Sequence, residues 1–259
     1  MKQLAVDLNS DVGEGFGPYK IGNDEDLFPY ITSANIACGF HAGDPTIIRK
    51  TLDLAAKHGV SVGAHPGYPD RLHFGRVALP YPAEEIVDMI LYQVGALQML
   101  AERAGLKMQH VKLHGALYHQ AAEDRRLAEM FLDAMVRLAH PPIIVGPPDS
   151  LLQREAEERG LDFAAEGFAD RIYGDDGKLV PRGSKNPGTI SDPANAAEQA
   201  FQLIKERKVQ SVSGQKIEMK VSTICIHGDT PGAAKIAKGV HEKLQQAKIS
   251  ITALRNLIE

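Results

Sequence analysis

Short apolar runs alternate with amphipathic stretches along the whole chain, and nearly every run ends in polar or glycine residues. Leu4 to Leu8 is apolar except for Asp7 and predicts a first strand. It leads into Asn9-Ser10-Asp11-Val12-Gly13-Glu14-Gly15-Phe16-Gly17-Pro18, a loop dense in carboxylates and glycine. A weak helix covers Asp24 to Tyr30. Ser33 to Cys38 predicts a second strand, with Gly39, Phe40, His41, Gly43 and Asp44 before Pro45 opens a helix to His58. In that helix Ile47, Ile48, Leu52, Ala55 and Ala56 keep the helical period, and proline suits a first turn. Val60 to Ala64 predicts a third strand ending at His65-Pro66, followed by a polar loop to Pro82 that carries Asp70, Arg71, His73 and Arg76. A long helix runs from Ala83 to about Ala104, with Ile86, Ile90, Leu91, Val94, Leu97 and Ala101 on one face and Gly105 as its stop.

His110 to His114 predicts a fourth strand, and a helix follows from about Asp124 to Leu138. Pro142 to Gly146 is a fifth, entirely apolar, with a short helix reaching Arg159. Phe163 to Glu166 is a sixth. The polar loop from Gly167 to Asp192 then holds Asp170, Arg171, Tyr173, Lys178, Arg182 and Lys185; connections that long are uncommon in compact domains and often act as lids. Pro193 starts a helix to about Arg207. Lys220 to Ile226 is a seventh strand, ending at His227-Gly228-Asp229, and Pro231 opens a last helix to about Gln246. Seven strands alternating with helices predict an α/β fold of parallel strands joined by right-handed crossovers. No linker or composition shift divides the chain, so one domain over residues 1–259 is expected. Polar residues at nearly every strand end favour a closed or nearly closed barrel; a doubly wound sheet would gather its site at one switch point.

Composition narrows the partners. A formal net charge of −4 gives no electrostatic case for nucleic acid or an anionic membrane. No apolar run approaches the ~20 residues of a spanning helix, and Asp7 sits where a signal peptide would need its apolar core. Two cysteines, Cys38 and Cys225, exclude a disulfide scaffold and a thiolate zinc site, and make a reducing cytoplasm the expected location. Both read as small buried hydrophobes. A phosphate loop is absent, since Gly177-Lys178 lacks the spacing and the following hydroxyl. Gly13 to Gly17 meets Pro18 rather than a helix, so it is no dinucleotide fingerprint.

The candidate chemistry lies at the predicted strand carboxyl ends: Asp7, Asn9, Asp11 and Glu14; His41 and Asp44; His65; Lys112 and His114; Glu166, Asp170 and Arg171; His227 and Asp229. Any one of these could be a cap or a satisfied core group, and Asp44 in particular could cap the helix after it. Their convergence on one rim points to an active site. His58, His73, His110, His119, His140 and His241 fall on helices, outer loops or strand starts and read as structural or solvated. Asp7, Asp11, His41 and His65 are also ligand types for zinc or a similar ion, without any local motif to support it. The same groups serve equally as general acids, bases and anion contacts.

Six stretches carry a resemblance. DLNSDVGEGFGPY at Asp7 to Tyr19, ANIACGFHAGDP at Ala34 to Pro45, GAHPGYPD at Gly63 to Asp70, VKLHGALYH at Val111 to His119, EGFADRIY at Glu166 to Tyr173 and ICIHGD at Ile224 to Asp229 resemble the LamB/YcsF family. That family is the A subunit of the prokaryotic ATP-dependent 5-oxoprolinase. The resemblance implies a seven-stranded (β/α) barrel, TIM-like and related to glycoside hydrolases and polysaccharide deacetylases. It also implies opening of 5-oxo-L-proline to L-glutamate with ATP as co-substrate, together with partner subunits B and C, which would bind most of the ATP. On that reading Asp11, His41, His65, Lys112, His114, Glu166 and His227 are the expected catalytic set, with Asn9, Glu14, Asp44, Arg171 and Asp229 around the substrate. The competing classes are a metal-dependent deacetylase and a non-catalytic lactam-binding subunit, with a divalent metal left open between them.

Overall fold

A computed structural model of the chain describes residues 4–183 and 188–258; Lys185 of the expected lid loop lies outside them. The strands, in order, are β1 (Ala5–Val12), β2 (Ser33–Ala37), β3 (Ser61–His65), β4 (Met108–Lys112), β5 (Ile143–Gly146), β6 (Phe163–Phe168), β7 (Lys208–Gln210), β8 (Lys216–Glu218), β9 (Thr223–His227) and β10 (Ser250–Ile251). Strands β1 to β6 pair in sequence, all parallel, then β6 pairs with β9 and β9 pairs back with β1. The barrel is therefore closed, with seven staves. Helices Pro45–His58, Ala83–Arg103, Arg125–Val136, Leu151–Glu158, Pro193–Lys205 and Ala233–Gln246 form the outer ring.

Side-chain alternation decides what goes where. On β1, Val6, Leu8 and Val12 join the large apolar cluster shared with the helices. Asp7, Asn9 and Asp11 point the other way and are equally buried. The barrel axis is thus polar over much of its length. At its floor Asp7 accepts from the hydroxyls of Thr32, Ser33 and Thr223. Above it Asn9 donates to Thr223 and accepts from Asn35, and Asn35 meets His110 Nε2 at 2.7 Å. Asn35 also donates to Asp11 at 2.7 Å, which joins this column to the upper rim. A small apolar group of Ile143, Val145 and Ala164 with Leu254, the last fully buried, makes up the rest of the interior.

The seven barrel strands and the outer helices follow the predicted order, but β9 starts at Thr223 instead of Lys220 and the short β10 went unpredicted. Strand β1 continues to Val12 through residues read as loop, because an inward-facing polar side chain does not end a strand whose barrel interior is polar. Strand β4 lies two residues earlier than expected: after Lys112 the chain leaves the ladder, and His114 N–H turns to bond Pro66 O. The helix Gly115–Glu123 and the antiparallel hairpin of β7 and β8 went unpredicted. Among the described residues no helix is long and apolar enough to cross a membrane.

Candidate active site

The carboxyl ends of β1, β3, β4, β6 and β9 bring one cluster of charge together. Lys112, the last residue of β4, places Nζ 2.9 Å from Asp11 Oδ1, 2.9 Å from Glu166 Oε1 and 3.1 Å from Cys225 Sγ. All four side chains are buried. Burial alone would lower the Lys112 ammonium, but Asp11, then Cys225 and Glu166, hold it well above its ordinary value. Burial likewise opposes the Asp11 carboxylate, and the charges of His65 and Lys112 outweigh it, keeping Asp11 well below the usual range. Cys225 has a basic neighbour that the sequence did not suggest, yet burial keeps its thiol high. His227 lies 4.0 Å from Asp11 and is fixed from behind by Asp170, at 2.9 Å from its Nδ1.

Three histidines form the second half of the cluster. His65 Nδ1 stands 2.7 Å from Lys112 O, and His114 Nε2 stands 2.8 Å from Phe74 O. A carbonyl only accepts, so both of those nitrogens carry protons. The two inner nitrogens, His65 Nε2 and His114 Nδ1, face each other at 2.9 Å. Burial, then the His65 ring, pushes the His114 imidazole well below its ordinary value, and Asp11 Oδ2 lies 3.4 Å from His65 and Glu14 Oε1 3.9 Å from His114.

His41 differs from both. It is fully buried, and neither ring nitrogen has a hydrogen-bond partner. Its ring stacks on His114 with centroids 3.7 Å apart and planes 3° from parallel, and Glu14 Oε1 is 4.0 Å from Nε2. Two glycines wall it in. A Cβ on Gly67 would stand 2.5 Å from His41 Nδ1, and one on Gly75, at φ +64, 2.8 Å from His41 Cβ. Burial, then the His114 and His65 rings, pushes His41 well below its ordinary value, so it is neutral at any working pH. Glu14 is pushed the other way, first by burial and then by Asp11 and Asp229.

The remaining expected residues divide. Asp229 stands at the mouth, accepting from Arg76 at 2.5 Å and Arg182 at 3.2 Å. Asn9 lies within 3.5 Å of Lys112 but below the rim, in the axial column. Asp7 lies deeper still and joins no metal-ligand cluster with His41. Asp44 is the cap of its helix, accepting from the Thr46 and Ile47 N–H groups, and is half-buried. Arg171, expected on substrate, instead donates to Gly188 O and Val180 O and holds the long loop. Asp170, one of the expected strand-end candidates, belongs to the site's framework behind His227. Asn35, Arg76 and Arg182 belong to it too and were not among those candidates; the inward parity of Asn35 with Asp11 and the polar loops that carry the two arginines were the available signals. A surface hollow of about 280 Å³ lined by Arg49, Leu52, Asp53 and Leu100 lies between two outer helices and has none of this chemistry.

Glu14, His41, His65 and His114 bring ligand atoms within 4.8 Å of one another, as do Asp11, Cys225 and His227. The first of these groups does not fit an ion. Parallel rings 3.7 Å apart cannot both point a lone pair at one centre, and the inner nitrogens of His65 and His114 are spent on each other.

Asp24 supports the loop that carries Glu14, accepting from Gly13 N–H at 2.9 Å. Burial raises its carboxyl from 3.8 to about 6. Between those values the folded chain keeps a proton that the unfolded chain has released, so this group's contribution is complete below pH 3.8 and is lost as pH rises through about 6. Asp24→Asn should flatten that slope, so that its Tm relative to the parent rises by a few degrees between pH 4 and pH 7 in thermal melts.

With this geometry in place, the comparisons decide the family. The LamB/YcsF family model matches residues 6–259. This chain belongs to the LamB/YcsF family. Its relatives include a protein from Bacillus subtilis named as the A subunit of 5-oxoprolinase, 47% identical over 249 residues, covering 96% of each chain. Another of the same name, from Pyrococcus abyssi, is 44% identical over 255 residues, covering 98% of this chain and 100% of that one. The crystal structure of a lactam utilization protein from Thermus thermophilus superposes with a TM-score of 0.90 at 39% identity, covering 97% of this chain and all of that one. The LamB/YcsF motifs quoted above supply most of the rim: Asp11 and Glu14, His41, His65, Lys112 and His114, Glu166 and Asp170, His227 and Asp229.

Proposed function

We propose that this LamB/YcsF chain is the component of an ATP-dependent 5-oxoprolinase that opens the lactam ring, in the cytoplasm and with partner subunits B and C. The observation that carries the reading is His41: a buried, unpartnered base beside the hydrogen-bonded pair of His65 and His114, on a rim whose relatives are named for this substrate. A five-membered lactam is an unactivated amide. Phosphorylation of its oxygen by ATP makes the ring carbon electrophilic, and on this reading the partner subunits perform at least part of that step.

His41 then takes a proton from water as the oxygen attacks the ring carbon. His41 hands that proton, through the His65–His114 pair, to the ring nitrogen, and the second proton of the water leaves the hydroxyl as its carbonyl forms and the carbon–nitrogen bond breaks, so both end on the departing amine. One water is consumed and the product is a γ-glutamyl phosphate. A second water releases phosphate and leaves L-glutamate. Lys112 faces the developing oxyanion, and its two carboxylates hold it in position.

Glutamate release from 5-oxoproline and ATP, measured with and without each of the partners, tests this. Turnover should require this chain, and partners that complete the reaction without it would refute the assignment. Because His41 sits well below the ordinary 6.5 of a histidine, the acid limb of kcat/KM in the complex should lie below that value. A limb at or above pH 6.5 would assign the base to another group.

A further inference from the structure

The catalytic groups are almost wholly shielded, and the rim is least covered at one point. There the side chains of Arg76 and Arg182 are 35% and 25% exposed, and Asp229 between them 14%. These three residues come from three separate loops, after β3, β6 and β9. One carboxylate serves two guanidiniums, so a positive charge is left over at the entrance. Arg76 also lies over the Phe74 ring at 4.8 Å, which fixes its plane, and Phe74 in turn meets His41 and His114 edge-on. The guanidiniums are thereby tied to the walls of the reaction site. Arg71 and Arg171 do not share the task, because both are occupied by backbone carbonyls.

We propose that Arg76 and Arg182 are the receptor for the anionic oxygens of the incoming substrate, and that Asp229 is a resident counter-ion which yields the arginines when that anion arrives. The idea rests on the lactam reading for the identity of the substrate, and the geometry specifies only its chemistry: a phosphoryl or carboxylate group that takes two guanidiniums. Exchange of one anion for another leaves the charge at the mouth balanced, so the arginines are never stripped of a partner. It also unties three loops at once, which opens the shielded site only for a ligand that brings its own negative charge.

Calorimetric titration of the full chain with inorganic phosphate, and separately with 5-oxo-L-proline, tests this and tells the two anion types apart. Arg76→Gln and Arg182→Gln should each weaken whichever anion binds by tenfold or more. Asp229→Asn should tighten it several-fold, because the internal competitor is gone. Loss of affinity in Asp229→Asn comparable to the arginine variants would make Asp229 a mere anchor and overturn the exchange. Unchanged affinity in the arginine variants, or no binding of either probe by the parent chain at tens of millimolar, would overturn the receptor. Thermal melts of each variant separate these results from misfolding, and Arg76→Lys gives a folded control that keeps the charge but loses the fork. In the reconstituted complex, normal turnover with unchanged KM in both arginine variants removes the receptor while leaving the lactam reading intact. The expected binding pattern without any lactam turnover does the reverse.

Discussion

Lys112→Met should lose turnover altogether in the reconstituted complex and lower Tm by roughly 10 °C, the equivalent of about 3–5 kcal/mol. Both effects have one origin. Lys112 is the shared counter-ion of Asp11 and Glu166, and without it Glu166 is left buried with no ion pair while Asp11 keeps only its histidine neighbours. Leaving an ion unpaired in a protein interior costs far more than the intact pair contributes. Combining Lys112→Met with Glu166→Gln and Asp11→Asn should recover much of the Tm and none of the activity, which separates the stability defect from the catalytic one. Differential scanning calorimetry and the glutamate-release assay together decide it. A single variant as stable as the parent would show that the cluster is not ionised as described.

His41→Leu should do the opposite to stability. Its kcat should fall roughly a hundred- to ten-thousand-fold, the usual contribution of a positioned general base, while Tm holds or rises. His41 makes no hydrogen bond, so two polar nitrogens are desolvated without return, and an apolar side chain of similar size removes that cost. Stability sacrificed in the parent for a reactive group is a pattern expected of functional positions. A marked drop in Tm would mean that His41 supports the fold, and the base would then have to be sought at Glu14.

Much of this was legible in the sequence, for reasons that can be located. Strand and helix order followed from apolar runs such as Ile143 to Gly146 and from caps such as Asp44, because those signals are local. Position within the rim was legible for His41, His65 and Lys112, since each stands at or just after a strand end. What a residue does there was not. Asp11 and Asp7 share a strand and a chemistry, but one meets Lys112 and the other three hydroxyls, and only the register of β1 against β2 and β9 distinguishes them. Arg171 and Arg182 look alike in a polar loop. One is spent on Val180 and Gly188 and the other reaches Asp229, through a loop path no periodicity encodes.

The polar axis of the barrel has a consequence for how the molecule comes into being. Its hydrogen-bond partners are drawn from strands far apart in the chain: Asp7 and Asn9 on β1 depend on Thr223, and Asp11 stands beside His227. An unfinished ring of staves offers these groups water in place of partners, and only the small apolar group around Leu254 inside to drive its closure. During synthesis the early strands and their helices can gather on the outer apolar layer, but the interior must stay wet until the segment bearing β9 has left the ribosome and met β1. The half of the cluster built on β1 and β9 therefore has no precursor in the nascent chain, whereas the histidines that follow β2, β3 and β4 can meet earlier. Premature termination ahead of β9 should yield a protein with helices and no complete site.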